Sequence, residues 1–355
     1  MRVVVTGASG NVGTSVLRAL ARDDEVDEIV GVARRRPRLD VGKTEWQTAD
    51  VEHDDLVPLF SGADCVVHLA WRIQPSHDLV ALRHTNVDGS ERVFRAAAEA
   101  RVPSLVHGSS VGAYSPHDLR PGAGASSRSP KRGRVDETWP TEGTPTSFYA
   151  RHKAEVERLL DRFERELPET RVVRLRPGLI FKRGSAEEQR RYFLGPLFPR
   201  LLARPQALAL VPAIRGLRLQ AVHTLDVAEA YRLAVLGDAR GPFNIAAEPV
   251  LDPPTLAAAL GARTVPVPAR VARGALDAAW RLRLQPTPAG WLDMGLAVPI
   301  MSTRRAREEL GWHPKRSSLR AIRDVLAGIA DADGEPTPPL EPGPRAETPR
   351  QRALH

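Results

Sequence analysis

The stretch that most constrains this chain is its beginning, where Val3, Val4 and Val5 run into three glycines, Gly7, Gly10 and Gly13. A short run of β-branched residues is the pattern of a strand buried on both faces. Beyond the glycines, Val16, Leu17 and Leu20 keep helical spacing. A strand that passes through a glycine-rich turn into a helix brings unpaired backbone N–H groups and the positive end of the helix to one point. Glycine leaves no Cβ between that backbone and an anion, so the point suits a pyrophosphate. Thr6 and Ser9 add hydroxyl donors, and Asn11 and Val12 belong to the same turn. The feature predicts an α/β fold, a Rossmann-type doubly wound parallel sheet, that binds a dinucleotide.

The chain has 355 residues, enough for one large α/β domain with a smaller lobe, or for two domains. It holds no run of about twenty apolar residues able to span a bilayer. Its N-terminus enters a strand at once, without a secretory pattern. A single cysteine, Cys65, excludes an intramolecular disulfide, and these features together point to the cytoplasm. Cys65 lies in the apolar run up to Ala70 and reads as a buried strand thiol rather than a nucleophile. The formal charge is +8, carried mainly by arginine. The basic residues are scattered rather than gathered with aromatics, which argues against a nucleic-acid partner while favouring an anionic cofactor. No metal-ligand pattern and no internal repeat stands out.

The glycine spacing T-G-x-x-G-x-x-G resembles that of the extended short-chain dehydrogenase/reductase family, also called the NAD-dependent epimerase/dehydratase family. The resemblance continues to about residue 330. Glu28 to Ala33 reads as a second strand, with Ala33 at the family's Asp position and Arg34 and Arg35 next. An acidic residue there selects NAD and arginine accommodates the 2′-phosphate of NADP, so NADP is implied, with NAD the alternative. After a third strand, Glu45 to Thr48, Asp50 and Val51 resemble the pair that faces the adenine. A fourth strand, Cys65 to Ala70, contains His68-Leu69-Ala70, which resembles the segment behind the cofactor. Thr85 to Ser90 opens a helix from Glu91 to Ala100 and makes Asn86 a secondary site candidate, with helix entry as its other reading. Pro177 and Gly178, after a sixth strand from Arg171 to Leu175, resemble the backbone near the nicotinamide amide. Gln220–Ala228, Phe243–Ala246 and Ser302–Pro314 match later family segments.

Three side chains resemble the family's catalytic triad. A fifth strand, Ser104 to Ser109, leads into Gly108-Ser-Ser-Val-Gly-Ala-Tyr114, and the family's serine stands four residues before that tyrosine, at Ser110. Tyr149 and Lys153 are four apart at the start of a helix from about Ser147, so they share a face. Its apolar positions Val156, Leu159, Leu160, Phe163 and Leu167 mark the buried side. A free phenol has a pKa near about 10 and is a poor base. The resemblance implies that Lys153 and an oxidised nicotinamide stabilise the phenolate. Ser110 would then orient the substrate oxygen while Tyr149 takes or returns its proton.

Val111 and Gly112 follow Ser110 where the family's dehydratases carry Asp and Glu, so dehydration is not expected. The family's epimerases use two arginines on the substrate diphosphate, and those positions fall here on Leu219 (beside Arg218) and Asp293. Arg215 and Arg273 are possible substitutes. The expectation is hydride transfer at a hydroxyl or ketone carbon of an unidentified, smaller or more apolar molecule. A nucleotide-sugar epimerase and a non-catalytic NAD(P)-binding sensor or scaffold are the alternatives. The resemblance implies a homodimer. Residues 1–180 are expected to bind the dinucleotide, with some later segments returning to that unit, and 181–330 to bind substrate. The Pro-rich 331–355 is expected to be disordered, and 115–139 to be a surface insertion or a flap.

Overall fold

Val3, Val4 and Val5 are fully buried and form the middle of β1 (Arg2–Thr6), the strand around which the sheet is laid. The computed structural model describes residues 1–73, 78–117, 133–195, 198–204 and 207–343. In chain order, β1 is followed by β2 (Glu28–Ala33), β3 (Thr44–Thr48), β4 (Cys65–His68), β5 (Ser104–Gly108) and β6 (Arg171–Pro177). Further on come β7 (Leu179–Phe181), β8 (Leu210–Ile214), β9 (Ala221–His223), β10 (Gly241–Ile245) and β11 (Arg263–Val267). Seven of these form one parallel sheet in the order β10-β6-β5-β4-β1-β2-β3. The chain runs outward from β1 in one direction to β3, then returns to β4 on its other side. A crevice therefore opens at the carboxyl ends of β1 and β4, where ligands bind in such sheets.

Helices cover both faces, as an all-parallel sheet requires. In chain order they begin with α1 (Asn11–Leu20), α2 (Val57–Phe60), α3 (Leu79–Arg83), α4 (Gly89–Glu99), α5 (Phe148–Glu166), α6 (Ala186–Gln189) and α7 (Thr224–Leu236). On one face Val16, Leu17 and Leu20 of α1 pack with Val227, Tyr231 and Val235 of α7 and with Trp312. On the other, Val93 and Phe94 of α4 pack with Val156, Leu160 and Phe163 of α5. The Trp312 indole N–H donates to the Asp226 carbonyl at 2.7 Å, which ties the C-terminal Leu-Gly-Trp segment to α7. Residues 224–245 thus return to the large sheet, with β10 beside β6 and α7 on α1. Beyond the sheet, β8 pairs with β11 and β7 with β9.

Three expectations change. The fourth strand stops at His68, and Leu69 and Ala70 turn across the sheet edge. The sixth strand extends to Pro177 rather than Leu175. The expected disordered tail is folded as far as residue 343: Leu340 is fully buried and Thr337 nearly so. Its composition suggested disorder because large apolar residues are few, yet its prolines stiffen the chain and one leucine finds a pocket. Residues 344–355 lie outside the described residues, as do 118–132 of the expected insertion. Of that insertion's flanks, Val135 bridges to Met301 and Trp139 stacks on His117. Cys65 is fully buried, and burial pushes its thiol up to about 11, as fits an inert strand residue.

Candidate active site

The first glycine turn is shaped by contacts that no other residue could make. Gly7 has φ 69°, and a Cβ there would stand 2.5 Å from the Ala70 nitrogen; one on Gly13 would stand 2.4 Å from the Gly7 oxygen. So Gly7 serves the turn and Gly13 the seating of α1 against it. Gly10 caps α1 without a side-chain hydrogen bond, leaving the first amides of the helix free of any side-chain acceptor.

These elements wall a crevice of about 330 Å³. Thr6, Gly7, Ser9 and Gly10 line it from the turn, Arg34 and Arg35 from the end of β2, Asp50 and Val51 from the end of β3, and Leu69 and Ala70 from the end of β4. Arg34 and Arg35 are exposed, and among the described residues neither has an ion pair. Other residues expected at the cofactor stand back from this wall. Asn11 reaches the Ile180 carbonyl and Thr224, Val12 packs toward the core, and Pro177 is buried beside Ile245 in the sheet. Asn86 is fully buried; its amide bridges the backbone N–H and carbonyl of Arg72, so it shapes the loop after β4. His68 lies between the hydroxyls of Thr6 at 2.7 Å and Ser90 at 3.0 Å, and burial holds its pKa down to about 3.

Ser110, Tyr149 and Lys153 are brought together. Ser110 follows β5 and its Oγ accepts from the Gly112 amide at 3.0 Å. Ser147 caps α5 through the Ala150 amide, which sets Tyr149 and Lys153 in the first two turns of that helix. Tyr149 is half-buried with its phenol near Ser110; burial pushes its pKa up to about 12, with the Ser110 hydroxyl pulling the other way. Lys153 Nζ donates to the Gly108 carbonyl at 2.6 Å and sits 3.3 Å from the centre of the Trp71 ring. Burial holds its pKa well below the usual lysine value, while Glu157 opposes the fall. Neither Tyr149 nor Lys153 is itself on the crevice wall. Trp71, which is, stands between them and the crevice, its ring edge-on to Tyr149.

Packed with Tyr149 is an apolar group of Val111, Leu219, Trp291, Met294 and Val298. The Trp291 and Tyr149 rings are 5.0 Å apart, and Gly112 keeps the space a Cβ would take from both Tyr149 and Met294. The two positions matched to the epimerase arginines are accounted for. Leu219 belongs to this apolar group, and Asp293 pairs with Arg273 at 2.9 Å.

Sequence reasoning missed what supports the serine turn. Glu157, one turn beyond Lys153, is fully buried and takes a bidentate pair from Arg176 (both contacts 2.8 Å), a contact from Arg174 at 3.0 Å and the Ser109 hydroxyl at 2.5 Å. Arg176 also donates to the Tyr114 hydroxyl, which donates to Asn244. The available signal was arginine at alternate positions of β6, on the face toward α5. Trp71, Arg191, Pro338 and Pro339 also line the crevice without having been singled out.

A doubly wound parallel sheet with an open glycine turn at its switch point defines a Rossmann-type nucleotide-binding protein. Residues 3–246 match the NAD dependent epimerase/dehydratase family, and the chain belongs to that family. It is 27% identical to an uncharacterized protein of Mycobacterium tuberculosis over 342 residues, which covers 92% of this chain and 83% of that one. An L-arabinose 1-dehydrogenase (NAD(P)(+)) of Haloferax volcanii is 38% identical over 109 residues, 30% of this chain and 40% of that one. The structure of a UDP-glucose 4-epimerase complex with NAD from Thermus thermophilus superposes with a TM-score of 0.66 at 22% identity, covering 94% of this chain and all of that one. The last likeness is one of fold. No described helix is long and apolar enough to cross a membrane.

Proposed function

We propose that this protein is an NAD(P)-dependent oxidoreductase that acts at a hydroxyl or ketone carbon of a small apolar molecule, with Tyr149 as the proton-transfer group. The observation that carries it is the half-buried Tyr149 phenol beside Ser110, with a buried amine one turn on. Binding alone needs none of these, which weighs against a sensor or scaffold.

The crevice fits a nicotinamide dinucleotide on three counts: uncapped helix amides, a turn that a Cβ would block, and two arginines at the end of β2 that have no ion pair among the described residues. When bound, that cofactor supplies the hydride acceptor or donor. Thr6 is committed to His68, so Ser9 and the backbone of the turn would hold the pyrophosphate. Arg34 and Arg35 would meet a 2′-phosphate, which favours NADP. Trp71 has to leave its place over Lys153 for that amine to reach a ribose hydroxyl.

At the reacting carbon, Ser110 holds the substrate oxygen and Tyr149 takes the carbinol proton or gives one back to the ketone. Burial raises the phenol and lowers the amine. A phenolate beside an ammonium relieves both shifts at once, because each charge then has its counter-charge. The apolar group around Tyr149 would exclude water and receive an apolar substrate body. Leu219 offers a diphosphate nothing to bind, and Arg273 is already held by Asp293. Both weigh against a nucleotide sugar.

Turnover of NADPH with apolar ketones, and of NADP with the matching carbinols, tests this reading beside UDP-glucose. Activity on UDP-glucose alone would put the epimerase reading first; cofactor binding without any turnover would put the sensor first. Arg34→Ala is expected to weaken NADP(H) binding roughly ten- to a hundredfold, the loss of a charge-assisted contact worth about 1.5–3 kcal/mol. NAD(H) affinity should stay within about twofold, read by fluorescence titration. Equal loss for both cofactors would contradict the ribose-phosphate assignment.

A further inference from the structure

The crevice has a wall that no part of the glycine turn supplies. Residues Glu335 to Leu340 close on themselves: the Glu335 amide donates to the Leu340 carbonyl at 2.8 Å and the Leu340 amide to the Thr337 carbonyl at 3.0 Å. The loop is fastened on three sides. Glu335 pairs with Arg18 of α1 at 3.0 Å and with Lys182, just after β7, at 2.7 Å. The Pro336 carbonyl accepts from the Arg38 amide at 3.1 Å, on the segment that follows Arg34 and Arg35. The Pro339 carbonyl accepts from the Arg191 guanidinium. Between these anchors Leu340 and Thr337 are buried, and Pro338 and Pro339 face the crevice opposite Gly7, Ser9, Gly10 and Arg34.

We infer that residues 335–340 are part of the dinucleotide site, a strap that closes over the adenosine and pyrophosphate half of the cofactor and sets how fast it leaves. This rests on the dinucleotide reading of the crevice proposed above. The physical grounds are the positions of the anchors. They sit on α1, on the loop after β2 and on the helical segment Arg190–Leu194 that carries Arg191, so the strap spans the mouth of the crevice from the side of Arg34 and Arg35 to the opposite wall. Proline at 336, 338 and 339 limits the freedom the loop would otherwise lose on closing. The Pro339 carbonyl also holds Arg191, a crevice-lining cation, in place for an anionic ligand. A bound dinucleotide cannot leave across this side unless the strap opens. Its loss therefore acts on the dissociation rate more than on association.

The test uses bound NADPH and its displacement by excess NADP in stopped flow, with NADH and NAD as a second pair. Compared are the full chain, a chain ending at Asp333, a chain ending at Gly343 and the full-length Glu335→Gln variant. Dissociation is expected to be at least tenfold faster for the chain ending at Asp333 and three- to tenfold faster for Glu335→Gln, with the chain ending at Gly343 within twofold of the full chain. Circular dichroism shows whether the shortest chain folds; if it does not, Glu335→Gln decides. A full chain that binds neither dinucleotide overturns the cofactor reading and the strap with it. Binding by the full chain, with wild-type release rates in every folded strap variant, overturns the strap alone.

Discussion

Tyr149→Phe should lower kcat on the order of a thousandfold while leaving dinucleotide affinity nearly unchanged, the size of effect expected when a positioned acid–base group is removed. The ring stays, so its packing against Trp291 and Trp71 stays with it. Only the hydroxyl beside Ser110 is lost. Steady-state kinetics on whichever carbinol or ketone proves to be turned over, together with a cofactor titration, separates the two quantities. A variant that keeps wild-type kcat would remove Tyr149 from the chemistry. The phenol's upward shift also has a consequence in the wild type. The group stays protonated across the ordinary range, so oxidation of a carbinol should gain rate with rising pH.

Glu157→Gln should be the most damaging single change outside the glycine turn. It leaves Arg174 and Arg176 buried with part of their counter-charge gone, and breaking such a buried pair costs about 3–5 kcal/mol. The Ser109 hydroxyl loses its carboxylate acceptor in the same step, so Ser110, its neighbour, should lose position. Denaturant unfolding measures the first effect and kcat the second. The wild-type acid limb carries the same interaction. Burial pushes the Glu157 carboxyl up, but Arg176 and Arg174 outweigh it and hold the group at about 2, below its ordinary value of 4.5. A depressed carboxyl stabilises the fold fully above its unfolded pKa and loses that contribution as pH falls through the folded one. The wild type should therefore weaken between about pH 4.5 and pH 2, and Glu157→Gln should flatten that limb. An unchanged limb in the variant would show that other carboxylates dominate.

Much of the sheet was readable from local pattern. Valines at β1, the cysteine run of β4 and the apolar stripe of α5 each announce burial within a few residues, so neighbours in sequence suffice. Tyr149 and Lys153 were readable because helical geometry alone puts positions four apart on one face. The Glu157 network was not. Its partners lie on β6, 17 and 19 residues away, and on the serine turn, 48 residues away. An acidic residue on a mostly polar helix gives no local sign that it will be buried. Trp71 follows the same logic. Only the approach of α5 to the end of β4 turns an indole into the partition between crevice and amine.

By itself, the amino-acid sequence determined the family, the parallel α/β class and the glycine turn, and it singled out Ser110, Tyr149 and Lys153 as candidates, because each depends on spacing within one strand–turn–helix or one helix. Tertiary structure alone decided that Asn86 supports a loop instead of lining the crevice and that an arginine-locked carboxylate underlies the serine turn. It also decided that a proline-rich terminus closes on the first helix. Those outcomes depend on which distant segments meet, and charge or proline content says how a segment behaves alone, not what it will find to pack against.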